Sequence, residues 1–260
     1  VLICAPVLAL VLDLLADTRA LGLERIWPGS RGGLLLLNSL LFSAGAILLG
    51  LLLAIPAASL LMDIPGRGGR LLRILAVAPI AVPPYLHAMA WQRLSERLHL
   101  SASGDHIAFL VETASRLPLL LAAVLIGLHV ADAGSRDAAH VYANRLRTLV
   151  CITLPQARPA MVAGASISML FSLNEYGLPA LFQRHTYALE IFTEYSVSGS
   201  SVDTMLVALP LILVSVLFAA TAIDRLCALS TPALDSRPQA VAMAGPWFYD
   251  LVRLIALGMV

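Results

Sequence analysis

The sequence predicts an all-α protein, a polytopic transmembrane helical bundle of about six spans followed by the start of a seventh. Hydrophobic residues make up 59% of the 260 positions and charged residues only 13%, which is more apolar surface than a globular core can bury. The apolar residues also fall into runs long enough for a helix to cross a bilayer core of about 30 Å. Polar breaks separate these runs, as expected between membrane spans.

The apolar runs give the predicted spans in chain order. The first run is interpreted as a span, because no cleavage site and soluble domain follow it as they would follow a signal peptide. The run GPWFYDLVRLIALGMV begins a seventh span after a Pro- and Ser-containing linker. We therefore expect a six-span half at 1–226, a cytoplasmic linker at 227–244 and a truncated second half at 245–260. The six predicted spans are residues 1–16, 34–62, 71–91, 107–130, 159–182 and 204–224.

The arginines indicate which loops face the cytoplasm. With the N-terminus inside, the cytoplasmic loops hold more arginines than the outside loops, as the positive-inside rule expects. The polar stretch at 135–160 is then cytoplasmic. The cytoplasmic arginines are Arg67, Arg70, Arg73, Arg136, Arg145, Arg147, Arg158, Arg225 and Arg237, and the outside arginines are Arg19, Arg25, Arg31, Arg93, Arg97 and Arg184.

The composition excludes several kinds of site. All 17 basic residues are Arg, so the 260 residues contain no lysine for a P-loop or a Schiff base. The net charge is only +1 and the arginines are scattered between apolar runs, which argues against a nucleic-acid surface. Neither the three cysteines nor the six histidines show metal-ligand spacing, so no metal site is predicted.

The cytoplasmic stretch SRDAAHVYANRLRTLVCITLPQARPA predicts a short amphipathic helix. Ser135 is the candidate N-cap, and Asp137 lies in the first turn, where a carboxylate meets the positive end of the helix dipole. Pro155 is expected to end this helix, and Pro159 to begin the next span. The pattern alone is compatible with a helix lying on the lipid surface or with one that docks on another protein.

Within this stretch, Asp137, Ala138 and Ala139, followed by the ITLP tetrad, resemble the EAA signature of the permease subunits of ABC importers. In that family the EAA loop, here about 135–158, is a coupling helix that sits in a cleft of the ATPase subunit. Asp replaces the usual Glu, Ala143 replaces the usual Gly, and the spacing to Pro155 is one residue shorter. The resemblance implies ATPase-coupling roles for Asp137, Ala138, Ala139, Ala143, Asn144, Leu154 and Pro155.

The resemblance extends over nearly the whole chain. The stretch from the Asn that opens the second span through PGR to APIAVPPY, and later FSLNEYGLPALF, are similar to permeases of the ferric-iron type and their thiamine and aminoethylphosphonate relatives. This implies a multi-pass permease of the bacterial inner membrane that is not an enzyme and binds no cofactor. ATP and Mg²⁺ would belong to a dimeric partner ATPase, and a periplasmic binding protein would deliver the cargo. Ferric iron is the expected cargo, with thiamine, aminoethylphosphonate and polyamine as alternatives.

Polar residues and prolines interrupt two spans and mark a candidate translocation path. An ionisable group in a span faces a cavity or a partner, so Glu175 is a candidate, with a structural carboxylate as the alternative. Prolines free backbone groups that protein or water must satisfy, and the alternative is a plain packing kink. An ion-coupled secondary transporter could also use Glu175, whereas an intramembrane enzyme would need more polar residues than these spans hold. The candidate path residues are Pro83, Pro84, Tyr85, Asn174, Glu175 and Tyr176.

Overall fold

A computed structural model describes residues 30–97, 104–131, 144–199 and 201–230 of the chain. These residues form helices joined by turns and contain no strand, so the predicted all-α fold class is confirmed. The predicted span at 1–16, residues 231–244 of the predicted linker and the predicted second half at 245–260 lie outside the described residues. The helices are α1 (Ser30–Met62), α2 (Gly66–Val77), α3 (Pro84–Arg97), α4 (Asp105–Val130), α5 (Arg145–Thr148), α6 (Leu154–Asn174), α7 (Gly177–Leu181), α8 (Tyr187–Ser198) and α9 (Ser201–Ser230).

Three of the described helices, α1, α4 and α9, are long and apolar enough to cross a membrane. They correspond to the predicted spans at 34–62, 107–130 and 204–224. Helix α9 continues to Ser230, so the first residues of the predicted linker, 227–230, are helical. The predicted span at 159–182 is also divided, because α6 begins earlier, at Leu154, and ends at Asn174.

The predicted span at 71–91 is two helices rather than one. A short 3₁₀ helix, Ala78–Ala81, follows α2, and α3 begins at Pro84. Val82 between them is extended, with φ −84° and ψ 121°, because the ring of a following proline disfavours the α conformation. The pair would add a fourth candidate span if it crosses as one broken helix, and otherwise it is a re-entrant loop.

The described residues fall into two compact units. The first comprises 30–46, 84–97, 104–112, 169–199 and 201–218. Its core is a cluster of buried side chains, and buried hydroxyls add hydrogen bonds between helices. The Ser39 hydroxyl accepts the backbone N–H of Tyr187 at 2.9 Å, and the Ser172 hydroxyl donates to that of Ser43 at 2.8 Å. The core cluster consists of Phe42, Ala88, Ala108, Val111, Leu178 and Phe182.

The second unit comprises 47–83, 113–131, 144–168 and 219–230, and small residues bring its helices close together. A Cβ atom added to Gly127 of α4 would lie 2.9 Å from the Cβ of Ala157 on α6, and one added to Gly164 would overlap the Cβ of Ala123. Small side chains let helix backbones approach and pack in this way inside membranes. The α4–α6 contact therefore depends on these glycines.

The chain around Pro155 remains helical. Residues Leu149–Thr153 form a π turn, in which the backbone N–H of Leu154 donates to the carbonyl of Leu149, and α6 starts at once with Leu154. The prediction that Pro155 ends the helix is therefore wrong. A proline ring clashes with the carbonyl four residues before it in an α-helix, and the π turn, which is wider than an α turn, relieves that clash.

Candidate functional site

A helix break in the first unit contains the candidate path residue Glu175. Helix α6 ends at Asn174, residues 175 and 176 are not helical, and α7 begins at Gly177. One carboxylate oxygen of Glu175, Oε1, accepts the backbone N–H groups of Gly177 at 2.9 Å and Leu178 at 3.4 Å. These N–H groups lack a partner within α7, so the carboxylate caps the helix and meets the positive end of its dipole.

The residues on either side of Glu175 contact neighbouring helices. The Asn174 amide donates to the Leu170 carbonyl at 2.7 Å and to the Ser215 hydroxyl of α9 at 3.1 Å. The Tyr176 ring stacks on the Phe192 ring of α8, with centroids 5.0 Å apart and an interplanar angle of 9°. Neighbouring helices of the unit thus hold the break on both sides.

The structure brings one predicted path residue, Tyr85, close to the helix break at Glu175. A Cβ atom added to Gly177 would lie 3.1 Å from Cδ2 of Tyr85 and 3.1 Å from Oε1 of Glu175. Glycine at 177 therefore lets the Tyr85 ring approach the capped end of α7. Pro84 is the first residue of α3, next to Tyr85, whereas Pro83 belongs to the second unit and lies between the 3₁₀ helix and α3.

The chemistry available at this break is that of a polar, capped helix end beside aromatic rings. Tyr85 and Tyr176 are each 45% exposed and Glu175 is half-buried, so the rings and the carboxylate can meet a passing solute. Among the described residues, no group of three His, Cys, Asp or Glu side chains could hold a metal ion. The arrangement offers a carboxylate for hydrogen bonds and two aromatic rings for ring contacts.

The second candidate site is the predicted coupling segment. Asp137, Ala138, Ala139 and Ala143 lie outside the described residues, whereas Asn144, Leu154 and Pro155 lie within them. Asn144 is the N-cap of α5, because its side-chain oxygen accepts the N–H of Arg147 at 3.0 Å. Leu154 and Pro155 follow the π turn as the first residues of α6.

An arginine that the sequence analysis placed only in a loop is held firmly in the first unit. The Arg184 guanidinium lies 2.7 Å from an Asp105 carboxylate oxygen and 4.1 Å from the centroid of the Phe42 ring. Its backbone N–H donates to the Pro179 carbonyl at 2.9 Å. Asp105 and Phe42 are distant in sequence, so no local pattern could have predicted this contact.

Two charged residues of α4 are buried, and the sequence analysis did not single them out. Glu112 is 1% exposed and Arg116 is 5% exposed, four residues apart on one helix. Opposite charges at this spacing are neighbours on a helix surface, and ionisable residues within a span are functional candidates by default. That spacing inside an apolar run was the signal that could have found them.

Comparison with known proteins supports a transport permease. No protein-family model matches the chain. The molybdenum transport system permease protein ModB of Mycobacterium bovis (strain ATCC BAA-935 / AF2122/97) is 29% identical, over 73% of this chain and 80% of its own length. The same protein of Mycobacterium tuberculosis (strain ATCC 25618 / H37Rv) gives the same values. These similarities do not support the ferric-iron type.

The fold resembles that of a solved transporter. The crystal structure of an amino acid ABC transporter with histidines superimposes with a TM-score of 0.53 and 12% identity, covering 76% of this chain and 91% of that one. At this identity the likeness concerns the fold alone. The ModB similarity is to a transport permease, and the chain has several helices long and apolar enough to cross a membrane.

Proposed function

We propose that the chain is the permease subunit of an ATP-binding-cassette importer, located in a bacterial inner membrane. The observation that supports this most is the ModB similarity, because it extends over 80% of the relative's length and not over one motif. The relatives are transport permeases, which favours a transporter over an intramembrane enzyme.

We propose that a separate ATPase dimer supplies the energy. The 260 residues contain no lysine and so hold no P-loop lysine to contact nucleotide phosphates, which supports an ATPase separate from these residues. ATP and Mg²⁺ would be bound there. The segment 135–147 and the first residues of α6 would contact that ATPase. A periplasmic binding protein would deliver the cargo from the other side.

We propose a molybdenum oxyanion such as molybdate as the cargo. The relatives' name specifies molybdenum, whereas the expectation of ferric iron, and equally its thiamine, aminoethylphosphonate and polyamine alternatives, gains no support from the comparisons. The translocation path would pass the helix break that contains Asn174, Glu175 and Tyr176 and that Tyr85 approaches, with Pro83 and Pro84 interrupting the helix before Tyr85.

The test is purification and transport. The tagged full-length protein is isolated from its native membrane, and we expect a P-loop ATPase to copurify with it. Deletion of the gene should abolish uptake of labelled molybdate, and the intact gene should restore it, whereas restoration should fail if the P-loop lysine of the partner is replaced by alanine. Labelled ferric ion serves as the competing cargo.

Two results would contradict the proposal. Uptake that persists without the partner's lysine but collapses with the ion gradient would identify a secondary transporter. Uptake of ferric ion but not molybdate would return the cargo to the ferric-iron type.

A further inference from the structure

The buried side chains ahead of and within α6 follow an interrupted helical repeat. Thr148 is 1% exposed, Thr153 is 3%, Ala157 is 0% and Ala160 is 3%. The last three are separated by four and three residues, as on one face of an α-helix. The step from Thr148 to Thr153 is five residues, which is one more than an α-helix allows for the same face.

The extra residue is taken up by the π turn. The turn occupies Leu149–Thr153, and a hydrogen bond joins the N–H of Leu154 to the carbonyl of Leu149, five residues earlier. The Thr153 hydroxyl donates to the Thr148 carbonyl at 3.4 Å, so the two buried ends of the turn also contact each other. The turn keeps Thr148 on the same buried face as Thr153 despite the added residue.

That face of α6 is itself fixed by packing. A Cβ atom on Gly127 of α4 would lie 2.9 Å from the Ala157 Cβ and 3.1 Å from the Ala160 Cβ. One turn further along, Gly164 meets Ala123. A helix packed this closely on another cannot rotate about its own axis. The direction in which the preceding cytoplasmic segment points therefore depends on how the π turn is wound.

We propose that Pro155 is a positioning residue for energy coupling: it holds the π turn, and the turn sets the rotation of the cytoplasmic segment before it relative to α6. The physical reason is the clash between the Pro155 ring and the carbonyl four residues earlier in an α turn. This inference rests on the proposed function, in which the segment before the π turn contacts the ATPase. That segment includes Asn144 and Arg147.

Replacing the proline has a defined geometric consequence. In Pro155→Ala, residues 149–153 can adopt a regular α-helix. Leu149 is then the residue one α turn before Thr153. Thr148 then leaves the buried face, and residues 144–147 directly before it turn by about 100° relative to α6, the rotation of one α-helical residue. Asn144 and Arg147, both exposed, would point away from their present direction.

The first experiment measures this rotation without any ATPase. Single cysteines at Thr148→Cys or Leu149→Cys are placed in full-length protein whose own cysteines are replaced by alanine, and a hydrophilic maleimide is added to opened membrane vesicles. With Pro155 present, position 148 should react more slowly than 149. With Pro155→Ala the order should reverse. Pro159→Ala, a change one turn further along α6, should leave the order unchanged.

The second experiment measures coupling in the purified complex. Pro155→Ala should lose the stimulation of ATP hydrolysis by cargo-loaded binding protein, and Pro159→Ala should retain it. Deleting Val150 from the Pro155→Ala protein removes the extra residue and returns position 148 to the buried face. This deletion should restore both the order of labelling and the stimulation, which separates positioning from a general loss of stability.

Each result decides the inference. Unchanged labelling order in Pro155→Ala, reversed order with full stimulation, or failure of the Val150 deletion to restore either readout would overturn it. If Pro155→Ala does not accumulate in the membrane, the double variant gives the answer, and recovery of labelling order and stimulation is the supporting result. A wild-type chain that stimulates no ATPase would refute the proposed function instead, while the labelling experiment would still test the turn.

Discussion

At the scale of single residues, Glu175 was predicted as a path residue or a structural carboxylate, and the structure shows it as a helix cap. Its isolated charge within an apolar run indicated a path residue or a structural carboxylate. In the structure its Oε1 caps α7 through Gly177 and Leu178, which accounts for a carboxylate at this depth without any cargo. Exposed rings beside it still leave it able to meet a solute, so capping and guiding a solute are compatible.

The capping role predicts an order of stabilities. Glu175→Ala removes the acceptor and should lower the free energy of unfolding by about 1 kcal/mol, whereas Glu175→Gln keeps an oxygen acceptor and should lose only part of that. Thermal unfolding of the purified protein in detergent measures both. Equal melting temperatures for the three proteins would refute the cap. Lost uptake in a Gln variant of normal stability would instead assign the charge to the path.

Tyr187 is the largest fully buried side chain of the first unit, and its hydroxyl donates to the Val207 carbonyl of α9 at 2.7 Å. Burial raises the pKa of the Tyr187 phenol above its ordinary value of 10.0, and the nearby Glu190 carboxylate raises it further. The folded protein therefore holds the phenol neutral while the unfolded chain ionises. The resulting stability is complete below pH 10.0 and is lost as the pH rises through the folded-state pKa.

Tyr187→Phe should lower the free energy of unfolding by about 1 kcal/mol at neutral pH, because the hydrogen bond to Val207 is lost. It should also remove the steep loss of stability above pH 10 that the phenol causes in the wild-type protein. Denaturant or thermal unfolding at pH 8 and at pH 10.5 measures both effects. A constant difference between the two proteins at both pH values would show that ionisation of Tyr187 contributes nothing.

At the scale of elements, the sequence predicted the long apolar helices well and the proline-containing ones poorly. Helices α1, α4 and α9 lie within a few residues of the predicted spans, because apolar length is a local property. The divided span at 71–91 depends on how Pro83 constrains Val82. The same residue type at Pro155 does not break the helix, since the π turn absorbs its clash. Composition does not distinguish these two outcomes.

The α4–α6 contact predicts a strong effect of one methyl group. Gly164→Ala should lower the free energy of unfolding by about 1 to 3 kcal/mol, because its Cβ would overlap that of Ala123 in a close-packed contact. Adding Ala123→Gly moves the methyl group to the other helix and should recover part of the loss. Thermal unfolding in detergent gives the comparison.

The control for this change is Gly33→Ala. A Cβ at Gly33 of α1 meets no atom within 4 Å, so this substitution should be neutral or stabilising by up to about 1 kcal/mol through helix propensity. A loss of stability as large as that of Gly164→Ala would mean that alanine itself, and not the overlap with Ala123, is responsible.

At the scale of the whole molecule, the sequence predicted single residues of the candidate site but not which of them lie next to each other. Tyr85 and Glu175 were both predicted as path residues, yet only the fold brings both of them next to Gly177. Arg184 was assigned to a loop, because its partners Asp105 and Phe42 come from two other helices. Contacts between residues far apart in sequence follow from tertiary packing, which periodicity and composition do not encode.

The last prediction concerns the orientation of the chain in its membrane. With the N-terminus inside, Arg67 and Asn144 lie in cytoplasmic segments, whereas Val197 lies in an outside one, and all three side chains are exposed. Because the loops that carry most of the arginines face the cytoplasm, a cysteine at 67 or 144 should react with a membrane-impermeant maleimide only in inverted vesicles. A cysteine at 197 should react only in intact spheroplasts. Detergent-opened membranes, in which all three should react equally, provide the control. Labelling of position 197 and position 144 from the same side would overturn the predicted orientation, and with it the assignment of residues 135–160 to the cytoplasm.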